Sequence, residues 1–558
     1  MNVASIAINR VTNTVVESVY DNPVMTREFR TRMRGWKAFG VMGGYVLLLA
    51  TFLFIHYLTI ASESPHNYGY YNPLGNLQIG QRLFGTLAWT QAIMLMFIVP
   101  SLTAGTLTQE LEKKTIEMLV LTRLSAGKIV LGKHLSGFFY ALMLLVCSAP
   151  LAGICLMLGG ISPAEVFITY ALLAGTSFLF AALSIACSSL MNKSAGSALL
   201  SYMISIGYMA LTAPLGTTAL MGRYSHNIYA LSMLNPIFAA YGSALAKTRV
   251  CGIEISAALA AFAIEVMVGL LALLIASTHV RHRKVERALS VRLMLIFTMA
   301  LIIWLGVGSL TSLISFAWRP STAEDMKGIL YVASIIIASI LCLTAAAIAT
   351  GEITSRSPGK IPGEISKGSL LMGVLSLKKM FKSDARGAVV FMTAMSVITY
   401  AIFTGTLYWV AKVESVPVYK WFWAACVKNG IAMTAVVAGI SAIGILFSSI
   451  ITKRKNAAAL VVFIALIAFI AYGFVLSYYQ IRYDHTASLM GQTAAFWPVA
   501  PVIGLANDWG RSMPTLIWNP HNTWIVTSAA YLIIGLIALA IAGPALRKTG
   551  GVKEDMDE

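Results

Sequence analysis

The stretch that decides the fold is residues 38–62, AFGVMGGYVLLLATFLFIHYLTIAS, which lies between Lys37 and Glu63. It contains no Asp, Glu, Lys or Arg. A helix needs about 20 mainly apolar residues to cross the hydrocarbon of a bilayer, and this run supplies them. The sequence therefore predicts a transmembrane helix at 38–62.

The composition of the whole chain agrees with this run. Of the 558 residues, 58% are hydrophobic and 11% are charged, and the mean hydropathy is +0.77. A soluble domain carries about 25% charged residues, so a soluble enzyme, a disordered chain and a fibrous protein are excluded. The net charge of +18 is explained by basic loops on the inner side of a membrane, and no nucleic-acid partner is expected.

Apolar runs recur along the chain and predict an all-α polytopic membrane protein with about twelve transmembrane helices. The predicted spans are 38–62, 84–107, 134–160, 165–191, 195–221, 255–280, 291–315, 328–350, 387–412, 426–451, 457–480 and 522–546. Most of the 41 Lys and Arg residues fall in alternate loops. The positive-inside rule then places both termini in the cytoplasm.

The predicted spans divide into two six-helix halves with similar loop lengths. The expected organisation is a cytoplasmic N-terminus (1–37), a first half (38–280) with the long inner loop 108–133, a basic linker (281–290), a second half (291–546) with the inner loop 351–386, and a cytoplasmic tail (547–558). Paired halves are common in transporters. Any chain of about twelve spans can be divided in this way, so a duplicated architecture is one of two interpretations.

The segment before the first span, DNPVMTREFRTRMRGWKAF at 21–39, predicts a basic amphipathic helix. Asn22 can cap the helix, and Pro23 suits its first position. An apolar face and a basic face follow at helical spacing: Met25, Phe29, Met33 and Trp36 on the first, and Arg27, Arg30, Arg34 and Lys37 on the second. Such a helix lies in the membrane interface. The alternative is an ordinary basic flank of the first span.

The first long inner loop reads LTQELEKKTIEMLVLTRLSAGKIVLGK at 107–133. It has no Gly or Pro before Gly127, which predicts a helix, and Ser125 can cap a second helix that enters the third span. Glu110, Lys113, Lys114 and Glu117 can pair along one side of the first of these helices. A short amphipathic helix joined to two spans is suited to docking a partner protein. The alternative is a solvated helix lying on the membrane.

These two segments together resemble the membrane subunit of type-2 ABC exporters. In that family a basic elbow helix precedes the first span. The loop between the second and third spans carries the pattern E-x-x-x-x-T-x-E-x-L-x-x-T-x-x-S and then a basic G-K, matched here by Glu110, Thr115, Glu117, Leu119, Thr122, Ser125, Gly132 and Lys133. The turn LGGISPAE at 158–165 is also similar. The resemblance covers about residues 20–280 and is topological only for 285–546.

The resemblance implies that the loop 108–133 is a coupling helix that docks a separate ATPase, and that the chain is a permease in a prokaryotic inner membrane. The elbow residues it implies are Pro23, Arg27, Phe29, Arg30, Arg34 and Trp36. No G-x-x-x-x-G-K-[ST] motif occurs in the sequence, so no enzymatic activity and no cofactor are expected on this chain. ATP and Mg²⁺ belong to the partner. Two ATPase subunits are expected if one chain supplies both halves, and a homodimer if two chains pair.

Glu265 is the remaining clue, because it lies in the middle of the apolar run 255–280. An ionised group at that depth costs about 3 kcal/mol. Glu265 is therefore a candidate substrate or gating site, and the alternative is a buried acid that hydrogen-bonds a neighbouring helix. The six cysteines show no spacing that suits zinc, and no metal is expected.

An ion-gradient-driven secondary transporter is the alternative function, because two six-helix halves suit it equally well. The loop after the second span lacks the G-x-x-x-D-R-x-G-R-R-like turn of such transporters, and Glu265 is the only clear acid deep in a predicted span. Scaffolds of this kind carry many substrates, so none is assigned.

Overall fold

The described structure is almost entirely helical. The computed structural model describes residues 22–62, 77–113, 126–191, 193–221, 230–236, 245–280, 288–309, 385–413, 420–450 and 523–551. The chain divides into two compact units, Met1–His282 and Arg283–Glu558. The boundary falls in the basic segment 281–290.

The helices of the first unit follow the apolar runs of the sequence. In chain order they are α1 (Pro23–Met33), α2 (Trp36–Ser62), α3 (Leu77–Thr103), α4 (Thr108–Glu112), α5 (Ala126–Met157), α6 (Pro163–Leu190), α7 (Ser194–Met221) and α8 (Ala257–Val280). Among the described residues, five helical stretches are long and apolar enough to cross a membrane. They are Ala38–Ile60, Ile79–Glu112, Ala126–Met157, Pro163–Leu190 and Ala257–Ser277.

Helix α2 has the surface of a membrane helix. Tyr45 and Leu49 are buried in a cluster with Leu87 of α3, whereas Leu47 and Phe54 are 68% and 61% exposed. Such apolar surface is unfavourable in water, at about 25 cal/mol for each Å², and is favourable against lipid. The exposed side of α2 is therefore a lipid-facing surface.

The helix boundaries in this unit follow local sequence signals. The Asn22 side chain accepts hydrogen bonds from the backbone N–H groups of Val24 and Met25, and Pro23 occupies the first turn of α1. Ser162 and Glu165 form a reciprocal capping box at the start of α6. Gly35 separates α1 from α2 with a φ of +92°, a conformation that glycine adopts without the steric cost of a Cβ.

The interior of the first unit combines close helix contacts with polar side chains. A Cβ added at Gly269 of α8 would lie 2.7 Å from the Phe178 ring of α6, so the glycine permits these helices to approach. Elsewhere Gln91 of α3 donates through Nε2 to Ser148 Oγ of α5 at 2.5 Å, and Tyr170 of α6 lies 3.0 Å from the same hydroxyl. These hydrogen bonds join three helices at buried positions.

A short β-hairpin precedes α8. Strands β1 (Lys247–Val250) and β2 (Ile253–Ser256) pair antiparallel, with Val250 opposite Ile253. Cys251 and Gly252 form the two-residue turn and both have positive φ values, 52° and 87°, as a type I′ hairpin turn requires. The all-α expectation therefore has an exception in this hairpin.

The second unit contains α9 (Ala288–Gly308), α10 (Ala385–Val413), α11 (Lys420–Ile450) and α12 (Thr523–Gly551). Its described apolar stretches are shorter: Arg292–Gly306, Val390–Thr406, Gly430–Gly444 and Ser528–Ile541. A Cβ at Gly439 of α11 would lie 2.6 Å from the Tyr531 carbonyl of α12, so these two helices are in close contact. Arg292 is buried with its guanidinium carbon 5.1 Å from the centre of the Phe391 ring, a cation–π contact between α9 and α10.

The predicted spans 328–350 and 457–480 and residues 351–384 of the predicted inner loop lie outside the described residues. Each of the other predicted spans overlaps a helix. The helical membrane architecture is confirmed at that level, and the number of crossings and the side of each loop stay predictions.

Candidate functional site

Asn22 holds the start of α1 against the start of α5. Besides capping α1, its Nδ2 donates to the carbonyl oxygen of Lys128 at 2.8 Å. A Cβ at Gly132 would lie 2.7 Å from Asn22 Oδ1, so Gly132 makes room for this contact. The N-cap of the elbow helix is thereby fixed to the first turns of α5.

Lys133 lies at the centre of a buried ion cluster. Its Nζ donates to Glu28 Oε1 at 2.6 Å, to Glu110 Oε1 at 2.7 Å and to the Thr106 carbonyl oxygen at 3.2 Å. The Lys133 side chain is 1% exposed. An ammonium group has three N–H donors, and each has an acceptor here, which offsets part of the cost of burying the charge.

Arg32 extends this cluster to the end of α3. Its Nη2 donates to the Leu102 carbonyl oxygen at 2.9 Å and lies 3.6 Å from Glu28 Oε2. Burial lowers the pKa of Arg32, and the neighbouring Glu28 opposes this shift. Arginine keeps its charge in proteins, so Arg32 and Lys133 balance the carboxylates of Glu28 and Glu110. We call these four residues the Lys133 cluster.

Serine side chains hold the same loop from its other side. Ser188 Oγ of α6 accepts hydrogen bonds from the backbone N–H groups of Leu107 and Thr108, each at 3.1 Å. Glu112 accepts from the Ser194 backbone N–H at 2.8 Å, at the start of α7. The segment 104–112 therefore contacts α5, α6 and α7 through polar groups, and Lys133 connects it to Glu28 of α1.

The structure describes only part of the predicted docking loop. Thr115, Glu117, Leu119, Thr122 and Ser125 lie outside the described residues. The Glu110 carboxylate contacts Lys133, 23 residues away along the chain. Its predicted helix partners Lys114 and Glu117 lie outside the described residues, so pairing along the helix stays a prediction. Gly132 and Lys133 are buried in α5 and are unavailable as an exposed docking surface, because the Lys133 ammonium is enclosed by its three acceptors. Lys133 holds Thr106 and Glu110 of the loop in place, and Gly132 makes room for Asn22.

Glu28 and Arg32 are the site residues that the sequence analysis missed. Glu28 is the only acid between Pro23 and Lys37, and an isolated acid in a basic helix was an available signal. Arg32 follows Glu28 at the i, i+4 spacing of an intrahelical ion pair, but it is one of several arginines in this segment and the sequence analysis did not single it out.

The structure contains the predicted helix of the elbow, Pro23–Met33, but this helix ends before Trp36. Pro23 is in the first turn, and Arg27, Arg30 and Arg34 are exposed. Phe29 is half-buried. Trp36 does not continue the apolar face of α1, because Gly35 breaks the helix and Trp36 begins α2.

Glu265 lies at the contact between α6 and α8 and is 1% exposed. Its Oε1 accepts a hydrogen bond from Thr176 Oγ1 at 2.9 Å, and the Tyr208 hydroxyl of α7 lies beside the same carboxyl group. Within the described part of the chain, Oε2 has no hydrogen-bond partner and rests against Gly175. The predicted contact with a neighbouring helix is therefore present, and a substrate or gating role stays a prediction.

Comparison of the chain with protein-family models, curated proteins and solved structures found no match. Across the described ranges, no group of three or more His, Cys, Asp and Glu residues is placed to hold a metal ion. The arrangement that the structure does provide is a polar loop joined to α1 and α5 through the Lys133 cluster and to α6 and α7 through the hydrogen bonds of Ser188 and Ser194.

Proposed function

We propose that this chain is the permease subunit of an ATP-driven type-2 ABC exporter, driven by a separate ATPase that docks on the loop 108–133. The observation that carries the proposal is the Lys133 cluster. A partner that presses on α4 moves Glu110, and Glu110 shares the Lys133 ammonium with Glu28 of the elbow. The motion of the partner then reaches the elbow and the third span together.

The polar contacts on the far side of the loop support the same role. Hydrogen bonds to Ser188 and Ser194 connect the segment 104–112 to α6 and α7. A loop that only linked α3 to α5 would not need hydrogen bonds with side chains of α6 and α7. Rigid coupling of this kind suits alternating access, in which helices move as bodies.

The first test is whether a neighbouring reading frame encodes a P-loop ATPase, and the second is co-purification of the full chain with that ATPase. Glu117→Arg places a positive charge in the predicted docking pattern, and we expect it to abolish association and ATPase stimulation while membrane insertion is retained. Glu254→Arg is the matched control, because it makes the same charge reversal in the hairpin. Full ATPase coupling in Glu117→Arg contradicts the docking assignment.

A secondary transporter driven by an ion gradient is the second candidate, and Glu265 favours it. A buried acid with one oxygen that has no hydrogen-bond partner among the described residues is the kind of group that takes part in proton transfer in transporters. Transport by the chain alone in proteoliposomes, driven by a pH gradient without ATP, would establish this candidate in place of the first.

A further inference from the structure

Three arginines form one exposed face of the elbow. Arg27 and Arg30 lie one turn apart on α1, and Arg34 follows a further turn on, at its C-cap. All three are exposed. Arg32, between them in sequence, points the other way, toward Leu102 and Glu28. The structure therefore separates one structural arginine from three that face outward.

No described residue forms an ion pair with Arg27, Arg30 or Arg34. The only acid of α1 is Glu28, and its carboxylate is used by Lys133 and Arg32. The three outward charges are consequently uncompensated within the described structure. We call them the arginine face.

An apolar stripe runs beside the arginine face on the same helix. Met25, Phe29 and Met33 are half-buried and recur every four residues. Directly after α1, Trp36 and Phe39 are 87% and 61% exposed at the start of α2. Exposed aromatic residues at the end of a membrane helix mark the depth of the headgroups.

The orientation of the elbow is fixed by its contacts with α5. Asn22 holds its start to Lys128, and the Glu28 contact with Lys133 sets its rotation. The arginine face and the apolar stripe are thus held in a fixed orientation relative to α5. A surface that combines fixed cations with an adjoining apolar stripe matches a phospholipid, which offers a phosphate and acyl chains together.

We propose that the arginine face is a binding site for the headgroups of anionic phospholipids in the adjoining leaflet. Guanidinium groups bind phosphate oxygens through charge-assisted, bidentate hydrogen bonds. An acidic protein surface would also match the charges, but it would leave the exposed Trp36 and Phe39 side chains unused. The proposal concerns the lipid and is independent of the ATPase partner.

The test uses the full chain in proteoliposomes that contain photoactivatable phosphatidylglycerol or photoactivatable phosphatidylcholine. Crosslinks to peptides covering residues 23–39 are quantified by mass spectrometry. The test variant is Arg27→Gln/Arg30→Gln/Arg34→Gln. A charge-preserving control changes the same three arginines to Lys, and a charge-matched control combines Arg82→Gln, Lys247→Gln and Arg249→Gln on other elements.

Each basic residue near an anionic surface raises the association constant about fivefold. We therefore expect the yield of phosphatidylglycerol crosslinks to this segment to fall at least about tenfold in the Gln variant. Both controls should keep most of them. In the unmodified chain, raising NaCl from 0.05 M to 0.5 M, concentrations chosen so that the screening length shortens severalfold, should weaken phosphatidylglycerol crosslinking and leave phosphatidylcholine crosslinking unchanged.

Equal crosslinking by the two lipids, or an absence of salt dependence, overturns the proposal without any variant. It is also overturned if the Gln variant keeps its phosphatidylglycerol crosslinks. If that variant instead loses only its association with the ATPase, the arginine face belongs to a protein partner. The crosslinking assay contains no ATPase, so its failure is distinguishable from failure of the proposed function.

Discussion

Replacing Lys133 by Met is the most direct test of the Lys133 cluster. The change keeps a long apolar stem in α5 but removes the ammonium that Glu28 and Glu110 share. Removing one partner of a buried ion pair costs about 3–5 kcal/mol. The two carboxylates keep side-chain exposures of 22% and 24%, so water compensates part of the loss. We expect the low end of the range, about 3 kcal/mol, or about a 150-fold change in the local opening equilibrium.

Hydrogen exchange measures this opening where it occurs. The backbone N–H groups of Leu107 and Thr108 donate to Ser188 Oγ in the segment that the cluster holds, and their exchange reports local opening. Lys133→Met should accelerate exchange of the Leu107 and Thr108 N–H groups by about 150-fold and should also weaken ATPase stimulation. Lys193→Met is the control, because Lys193 is exposed and the loss of a surface charge has a small effect.

A compensated variant separates charge from packing. Lys133→Met combined with Glu110→Gln removes the carboxylate that has lost its cation, leaves Glu28 with Arg32 and should return the exchange most of the way toward that of the unmodified chain, since neutral replacements of buried ion pairs are tolerated. The reasoning is refuted if Lys133→Met leaves exchange at Leu107 and Thr108 unchanged. It is equally refuted if the compensated variant exchanges as fast as Lys133→Met alone.

Three further predictions follow from particular contacts. A Cβ at Gly175 would lie 2.6 Å from Glu265 Oε2, so Gly175→Ala should separate α6 from α8, lower the free energy of unfolding by about 1–3 kcal/mol and lower the thermal midpoint in scanning fluorimetry. Gly153→Ala is the control: a Cβ at Gly153 meets open space, so this variant should leave the thermal midpoint unchanged. Glu265→Gln keeps an oxygen that can accept from Thr176, so expression should be retained while transport changes; transport equal to that of the unmodified chain at every pH removes Glu265 from the site. Burial raises the pKa of the Cys251 thiol, so less thiolate is present at neutral pH, and the rate of labelling by an impermeant maleimide should rise about tenfold per pH unit below that pKa. Cys251 lies between the predicted spans 195–221 and 255–280, on the outer side of the predicted topology, so labelling from the cytoplasmic side alone contradicts that topology.

Much of the fold could be predicted because its signals are local. The run 38–62 predicts α2, and Asn22 with Pro23 predicts the start of α1. Hydropathy and capping act between residues a few positions apart, so they can be read from the sequence. The break at Gly35 was missed, because the apolar spacing from Met33 to Trp36 continues the helical period across it and only the backbone conformation reveals it.

The site depends instead on which helices pack together. The sequence by itself determined that the elbow is basic, that Glu265 lies deep in an apolar run and that the loop 107–133 carries charged residues at helical spacing. Only the tertiary structure decided that Glu28 meets Lys133 across 105 residues and that Thr176 meets Glu265 across 89. It also turned Arg32 inward while Arg27, Arg30 and Arg34 remained exposed. The physical reason is that a buried charge is stabilised only by the groups that surround it. Those groups come from other helices, and hydrophobic periodicity predicts where helices form but not which of them pack together.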